Sequence, residues 1–521
     1  MSQKTRGVIA AGHQKTAEAG QAMFALGGNA FDAAIAAVLA SFVVESTLTS
    51  AAGGGFLLAH TQNNRNILFD FFCQTPHSKK NLDDINFYPI NINFGDAIQT
   101  FHIGLGSIAV PGNIAGVFEV HQQLGKLPFK EVIQPAINYA KNGFVISNYN
   151  SFAIKLLEPI LLALPESRNI YAPNDELLTA GEICYMKDFA TTLTELSHKG
   201  VQEFYQGEIA HKIVKDCQEQ GGYLTLKDLR NYQVIVRNPL QINYRGYQLL
   251  TNPPPSSGGT LIAFALKLLE MVDFENIEFG SEQHLQILAK IMYLTNTARS
   301  SGYDDYIYQD NIEQFFLSQP SLETYQLKLN NLLNKWGSTT HLSVMDNEGN
   351  AASITTSNGE GSSYVIPGTG IMLNNMLGEA DLNPLGFHHW SSNQRISSMM
   401  SPTIILKDGK PEIVLGSGGS NRIRTAIFQV ISNLLDFNFS VEEAIQNPRV
   451  HWENYTFNIE PPFHLDAIEN LSLPESIDST QIVLWSKQNM FFGGVHAVRK
   501  TPEGIMAGAG DPRRAGVAIE G

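Results

Sequence analysis

The residues best suited to chemistry lie within positions 336–356, which read WGSTTHLSVMDNEGNAASITT. Ser338-Thr339-Thr340-His341 places small hydroxyls just ahead of a β-prone run. One chemistry that wants such a residue is an N-terminal threonine nucleophile. Its hydroxyl is activated by its own α-amino group, whose pKa of about 8 lets it act as a base near neutral pH. That use requires the chain to be cut between Ser338 and Thr339. An ordinary threonine-rich strand is the other reading of the same residues.

A second candidate is Gly416-Ser417-Gly418-Gly419-Ser420, between a β-prone run and a helical pattern that starts near Asn421. Amides of a glycine-rich strand-to-helix turn point outward and are aided by the helix dipole, so the loop suits a phosphate or the oxyanion of acyl transfer. No lysine stands in the Walker position, which makes a nucleotide loop the weaker choice. Ser50-Ala51-Ala52-Gly53-Gly54-Gly55 permits close backbone approach, to a ligand or, more simply, to a neighbouring element. His121 and the pair His388-His389 stand alone and read as surface or core histidines. Cysteines, histidines and carboxylates show no metal-ligand spacing, and the threonine chemistry needs no cofactor.

The elements that must position these residues follow from periodicity. Residues 342–346 and 351–356 are strands of a hairpin turned by Asn347-Glu348-Gly349-Asn350. Residues 7–60 read as strand, helix, helix, strand, with the first helix stopping at Gly27-Gly28 and Asn29 preceding the second. The apolar run 33–44 is too short to span a bilayer and reads as a buried helix. Residues 66–72 form another strand, and 75–105 look polar and irregular. A helical region opens at Val110-Pro111-Gly112, and 150–235 are mainly helical. Pro253-Pro254-Pro255-Ser256-Ser257-Gly258-Gly259 is a rigid turn that opens a long helix, a further helix spans about 282–298, and an amphipathic helix ends near Lys335. The last third is β-rich: a strand over 370–375 ends in two amides, and a second hairpin turns at Lys407-Asp408-Gly409-Lys410.

A chain of 521 residues with 43% hydrophobic and 16% charged residues has ample core for two lobes or one large layered domain. The net charge of -15 argues against nucleic acid or an anionic membrane as partner. The three separated cysteines suit a reducing compartment, and no secretory apolar segment follows the amino terminus, so a cytoplasmic location is expected.

Several blocks, in order, resemble the γ-glutamyltransferase (γ-glutamyltranspeptidase, glutathione hydrolase) family of N-terminal nucleophile hydrolases. They are Gly27-Gly28-Asn29-Ala30-Phe31-Asp32-Ala33-Ala34, Val110-Pro111-Gly112, the PPPSSGG turn, Thr339-Thr340-His341, the run 370–375, Ser401-Pro402-Thr403 and Gly508-Ala509-Gly510-Asp511-Pro512-Arg513-Arg514. The resemblance covers nearly the whole chain. It implies an α/β (α+β) fold, a four-layer αββα sandwich, and self-cleavage into a large segment 1–338 and a small one 339–521 that stay together as a heterodimer. It implies Thr339 as nucleophile both for that cut and for turnover, Ser357 as the hydroxyl that positions it, and Gly418 and Gly419, or the pair one residue later, as the oxyanion donors. The implied substrate is a γ-glutamyl amide such as glutathione, with water, an amino acid or a peptide as acceptor.

The substrate set departs from the family pattern. Phe72 stands where an arginine would pair with the glutamyl α-carboxylate, and a phenyl ring cannot replace a bidentate, charge-assisted pair. The family's asparagine falls on Gly359, with Asn358 adjacent. Its glutamine and aspartate for the α-amino group fall on Met376 and Glu379. Its serine pair falls on Ser398 and Met399, or on Ser397 and Ser398 after a one-residue shift. Arg395, Arg422 and Arg424 are candidates for a replacement charge, though each reads more simply as structural or surface. Three functions compete: an enzyme cleaving γ-glutamyl amides, an acylase of the same family taking a more apolar acyl group, and an unprocessed, non-catalytic homologue.

Overall fold

The computed structural model describes residues 6–93, 98–318, 321, 338–383, 385–453, 455–463, 465–469, 471–473 and 480–521. The hairpin foreseen around Asn347-Glu348-Gly349-Asn350 forms the middle of a sheet: strands Thr340–Asp346 and Ala351–Ser357 pair Thr340 with Thr356 and Met345 with Ala351. Gly349 takes φ 95 in the turn, a left-handed conformation that glycine adopts without strain. Strand Gly7–Ala11 flanks the hairpin on one side and Gly54–His60 on the other, all antiparallel, within a seven-stranded sheet. Asn66–Phe71 and Ile235–Arg237 extend one edge, and Val517–Glu520 closes the other.

A second, six-stranded antiparallel sheet runs in the order Met506–Ala509, Gly494–Lys500, Lys410–Gly418, Thr403–Lys407, Tyr247–Thr251, Leu240–Tyr244. The sheets face each other across an apolar layer in which Val8, Ala10, Phe56, Leu58 and Met345 of the first meet Leu249, Ile405, Val414 and Val498 of the second. Period-two alternation sends the other side chains of the first sheet, such as Ile9, Leu57, Leu342 and Ile354, toward the helices outside it. The result is an αββα sandwich.

The helix Ala30–Val44 lies against the hairpin. Asn29 and Asp32 form a capping box at its start, and every one of its residues is buried. A helix apolar all round must be covered on all sides. Helices Gln14–Ala25, Asn113–Leu124 and Phe129–Asn142 supply that cover. Across the molecule, helices Ser257–Leu269 and Arg422–Leu435 cover the second sheet.

Most expected elements are present, including a helix at Glu282–Ala298. The expected helix ending near Lys335 lies outside the described residues. The segment 75–105 differs from expectation, because Tyr88–Asn93 and Ile98–Ile103 pair as a two-stranded ribbon. Its asparagines and proline hide a sparse alternation, yet Ile92, Phe101 and Ile103 are wholly buried, and that burial holds the ribbon in place. The stretch 370–375 is shorter as a strand than expected, with only Ile371–Met372 paired. Its two amides are used instead: Asn374 donates to the carbonyls of Ala52 (2.9 Å) and Ala109 (3.0 Å).

Candidate functional site

Ser338 and Thr339 sit at the mouth of the hairpin, one residue before strand Thr340–Asp346, and both are buried. The Thr339 hydroxyl donates to the carbonyl of Ser338 at 2.8 Å. The Ser357 hydroxyl, at the end of the partner strand, donates to the same carbonyl oxygen at 2.7 Å and accepts from the Gly359 amide at 3.0 Å. The Thr339 carbonyl accepts from Arg514 Nη1 at 3.1 Å. One peptide unit thus carries a hydroxyl nucleophile beside it and a hydroxyl donor on its carbonyl oxygen, the arrangement an intramolecular acyl shift needs.

Ser338 is also held from the side that precedes the bond. Its amide donates to Glu360 Oε1 at 2.8 Å and its hydroxyl to Glu360 Oε2 at 2.5 Å. Glu360 lies between Gly359 (φ 62) and Gly361 (φ 86), and its own amide donates to Asn375 Oδ1 at 2.9 Å and to Glu379 Oε1 at 3.2 Å. Burial pushes the Glu360 carboxyl up to about 7, against the lowering effect of Ser338 and Arg514. Burial, then the neighbouring Glu360 and Asp381, raise Glu379 well above the ordinary carboxylate range.

The glycines of the loop come close without lining the cavity. Gly418 ends its strand paired with Gly494, and a Cβ there would lie 2.1 Å from the Thr339 carbonyl oxygen. Gly419 (φ 125) and Ser420 (φ 49) turn into helix Arg422–Leu435, and Ser420 reaches the cavity wall. Gly53 fits the packing reading, since a Cβ there would meet the Ser357 carbonyl at 2.2 Å.

A cavity of about 50 Å³ opens at Thr339. Besides Ser338, Thr339 and Ser357, its wall holds Phe72, Met376, Met399 and Met400, with Glu379, Asp381 and Ser398 as polar groups. Phe72 is fixed by stacking on Phe56, with ring centroids 5.5 Å apart. Through Asp381, Leu382, Ser398 and Met399 this cavity adjoins a larger one of about 180 Å³ lined by Trp390, Tyr308 and Ser397.

The structure therefore gathers Thr339, Ser357, Phe72, Glu379 and Ser398 around one cavity and places Gly418 directly behind Thr339, with Gly419 next to it against Gly493 and Arg514. Ser397 faces the adjoining cavity. Asn358 is buried but lines neither; its Nδ2 lies 3.5 Å from the Leu373 carbonyl. Arg395 does not replace the missing arginine. Its guanidinium pairs with buried Asp70 (3.3 Å), donates to Tyr232 Oη (2.8 Å) and the Gln233 carbonyl (2.8 Å), and also bonds the Phe72 carbonyl. His341 is packed between the sheets, with its ring nitrogens at Thr355 Oγ1 (2.8 Å) and Ser343 Oγ (2.9 Å).

Sequence reasoning missed Glu360 and the contact of Arg514. The signal for Glu360 was a carboxylate between two glycines three residues after Ser357. Arg514 stood in a recognised block, but only the fold brings it to Thr339.

Comparison with known proteins bears on the family. A family model described as Gamma-glutamyltranspeptidase matches residues 16–521. The Glutathione hydrolase proenzyme of Escherichia coli (strain K12) is 31% identical over 547 residues, covering 98% of this chain and 90% of that one. The Acylase ACY 1 proenzyme of Pseudomonas sp. (strain V22) is 29% identical and covers 99% of this chain and 94% of its own. The crystal structure of cephalosporin acylase from Bacillus halodurans shares the fold with a TM-score of 0.86 over 99% of this chain and 96% of that one, at 24% identity. The Helicobacter pylori gamma-Glutamyltranspeptidase structure matches 61% of this chain and 91% of its own, with a TM-score of 0.54 and 29% identity. With the matched region reaching from residue 16 to the last residue, this chain belongs to the γ-glutamyltranspeptidase family.

Proposed function

We propose that the protein cuts its own chain between Ser338 and Thr339 and then works as an N-terminal threonine amidohydrolase and acyltransferase. The observation that carries this is the pair of hydroxyls, Thr339 and Ser357, on the Ser338 carbonyl. Thr339 Oγ1 attacks the carbonyl carbon, the Ser338–Thr339 C–N bond breaks, and the amide nitrogen takes a proton to leave an ester. Water hydrolyses that ester to give a Ser338 carboxylate and a free Thr339 amine and hydroxyl. In turnover the amine takes the hydroxyl proton as Oγ1 attacks a substrate amide, and that proton passes to the leaving amine. The acyl-Thr339 ester then passes its acyl group to water, an amino acid or a peptide. Ser357 positions the nucleophile, and amides of the Gly418-Gly419 turn serve the oxyanion.

Segments 1–338 and 339–521 would stay together after the cut. Each sheet takes strands from both, with Gly7–Ala11 between Thr340–Asp346 and Val517–Glu520 in one and Tyr247–Thr251 beside Thr403–Lys407 in the other.

For the substrate, the Escherichia coli relative supports γ-glutamyl amides such as glutathione. A second reading, an acylase with a more apolar acyl group, is favoured by Phe72, Met376, Met399 and Met400 on the cavity wall and by the relative named Acylase ACY 1. Substrate binding falls to Glu379 and Ser398, with Phe72 as a wall and with Ser397 and Asn358 behind it. A cytoplasmic location, in keeping with three free, buried thiols, completes the proposal and is read by cell fractionation.

Denaturing electrophoresis tests the cut: two bands are expected, and Thr339→Ala should give one band and no turnover. A single band from the unaltered chain after long incubation, with no anilide hydrolysis, would leave the non-catalytic reading. Release of 4-nitroaniline from γ-glutamyl against simple acyl anilides separates the two substrate readings.

A further inference from the structure

In the uncleaved chain Ser338 occupies the acyl side of the site. In the self-cleavage reaction Ser338 is the acyl donor, and both of its hydrogen-bond donors, the amide N–H and the hydroxyl, end on the single carboxylate of Glu360. Glu379 Oε1 lies behind, 3.2 Å from the Glu360 amide. Hydrolysis of the ester leaves a new carboxylate, that of Ser338, beside the Glu360 carboxylate, and like charges in a buried site repel it outward. Its departure uncovers Glu360 to the cavity that Ser338 now lines.

The charge of that cavity is one-sided. Glu379 and Asp381 line it and Glu360 stands behind Ser338, while among the described residues no lysine or arginine lines it. Arg395, in the segment bridged to Gln74, is held by Asp70, Tyr232 and Gln233. Arg514, which acts on Glu360 through its charge, has its guanidinium on the Thr339 carbonyl, 3.1 Å away. An acyl group bearing a carboxylate would meet carboxylates with no lysine or arginine on that wall, and Arg299, which lines the adjoining cavity, is held by Asp304 at 2.8 Å. One bearing an ammonium would bring the counter-charge that burial denies the glutamate pair.

We propose that Glu360 is the specificity-determining residue of the acyl pocket: in the cleaved enzyme it takes, with Glu379 beside it, an ammonium group on the substrate's acyl half, at the place Ser338 holds before the cut. The substrates are amides of amino-substituted acids, and a carboxylate on the acyl group adds nothing. The proposal rests on Thr339 being the nucleophile of a cleaved chain and narrows its substrate class.

The test is a panel of four 4-nitroanilides on the cleaved wild-type protein: γ-glutamyl, 4-aminobutyryl, glutaryl and butyryl. They share chain geometry and differ in carrying both groups, ammonium only, carboxylate only, or neither. The expected kcat/KM for 4-aminobutyryl matches or exceeds that for γ-glutamyl and stands roughly ten- to a hundredfold above glutaryl and butyryl, the range of one or two charge-assisted hydrogen bonds. In Glu360→Gln the ratio of 4-aminobutyryl to butyryl kcat/KM should shrink at least tenfold. Equal losses on both substrates would show a structural role and overturn the assignment. If that variant does not cleave itself, Glu360→Asp is read on the same panel, and the wild-type ranking stands by itself as a test. Glutaryl turned over as well as 4-aminobutyryl overturns the specificity and leaves the threonine mechanism intact. Release from none of the four refutes the enzymatic reading, and this one with it.

Discussion

The Ser357 hydroxyl donates to the Ser338 carbonyl oxygen at 2.7 Å, across the open end of the hairpin whose first strand begins just after Thr339. The antiparallel register that pairs Thr340 with Thr356 delivers this contact, because it sets the residue after Thr356 against the residues just before Thr340. A donor on the carbonyl oxygen of a bond about to be attacked stabilises the charge that develops there.

Ser357→Ala should therefore slow self-cleavage by roughly 10²–10³, the cost of one oxyanion donor. Ser357→Thr should restore most of the rate, since it keeps the hydroxyl. The decay of the full-length band measures both. An unchanged half-life in the alanine variant would remove Ser357 from the mechanism.

Gly418→Ala should stop the cut with little unfolding. The added Cβ would lie 2.1 Å from the Thr339 carbonyl oxygen and 3.1 Å from Arg514 Nη1, while pairing to Gly494 holds the strand in place. Thr339 must move to relieve the contact. Overpacking of this kind costs about 1–3 kcal/mol, so the variant should fold and remain one chain on a gel. Normal cleavage would show that the loop yields instead.

Arg395→Met should destabilise the fold by about 3 kcal/mol without changing substrate choice, because it breaks a buried ion pair with Asp70 and leaves that carboxylate to Arg237 alone. Urea unfolding reads the first effect, and the ratio of γ-glutamyl to butyryl anilide hydrolysis reads the second. A loss confined to the glutamyl substrate would mean that Arg395 reaches the ligand after all.

Acid should weaken the fold in two stages. Burial lowers His451 and His496 to about 4. The unfolded chain then binds protons near the ordinary histidine value of about 6.5 while the fold does not. Stability is full above that value and falls as pH drops toward 4, by up to about 1.4 kcal/mol per pH unit for each histidine. Asp511 follows at lower pH. Burial alone would raise its carboxyl, but Arg449 and Arg513 hold it at about 2, so its contribution is present above about 4 and lost as pH falls toward 2. Urea midpoints at pH 7, 5.5 and 4.5 check the first stage. A flat profile over that range would mean that these rings titrate in the fold as they do in the open chain.

The sequence by itself determined what local chemistry can determine. Alternation and the Asn347-Glu348-Gly349-Asn350 turn set the hairpin, the capping residues Asn29 and Asp32 set where the central helix begins, and ordered blocks from Gly27 to Arg514 set the family resemblance. These signals are written over a few neighbouring residues, where steric and hydrogen-bonding preferences act directly. What depended on distant partners was decided only by the tertiary structure. Arg395 was a candidate replacement charge that read more simply as structural or surface, and only packing brings it to Asp70, 325 positions away in sequence. The ribbon of 88–93 and 98–103 had only a sparse alternation, interrupted by asparagines and a proline, and is fixed by burial of Ile92 and Phe101. Glu360 carried no signal beyond its two flanking glycines. Its role comes from two left-handed glycines that aim its carboxylate at Ser338, and from a buried site that makes the contact strong. Positions 338–357 could thus be read for how a bond is broken, while the identity of the acyl group depends on charges that only the folded chain brings together.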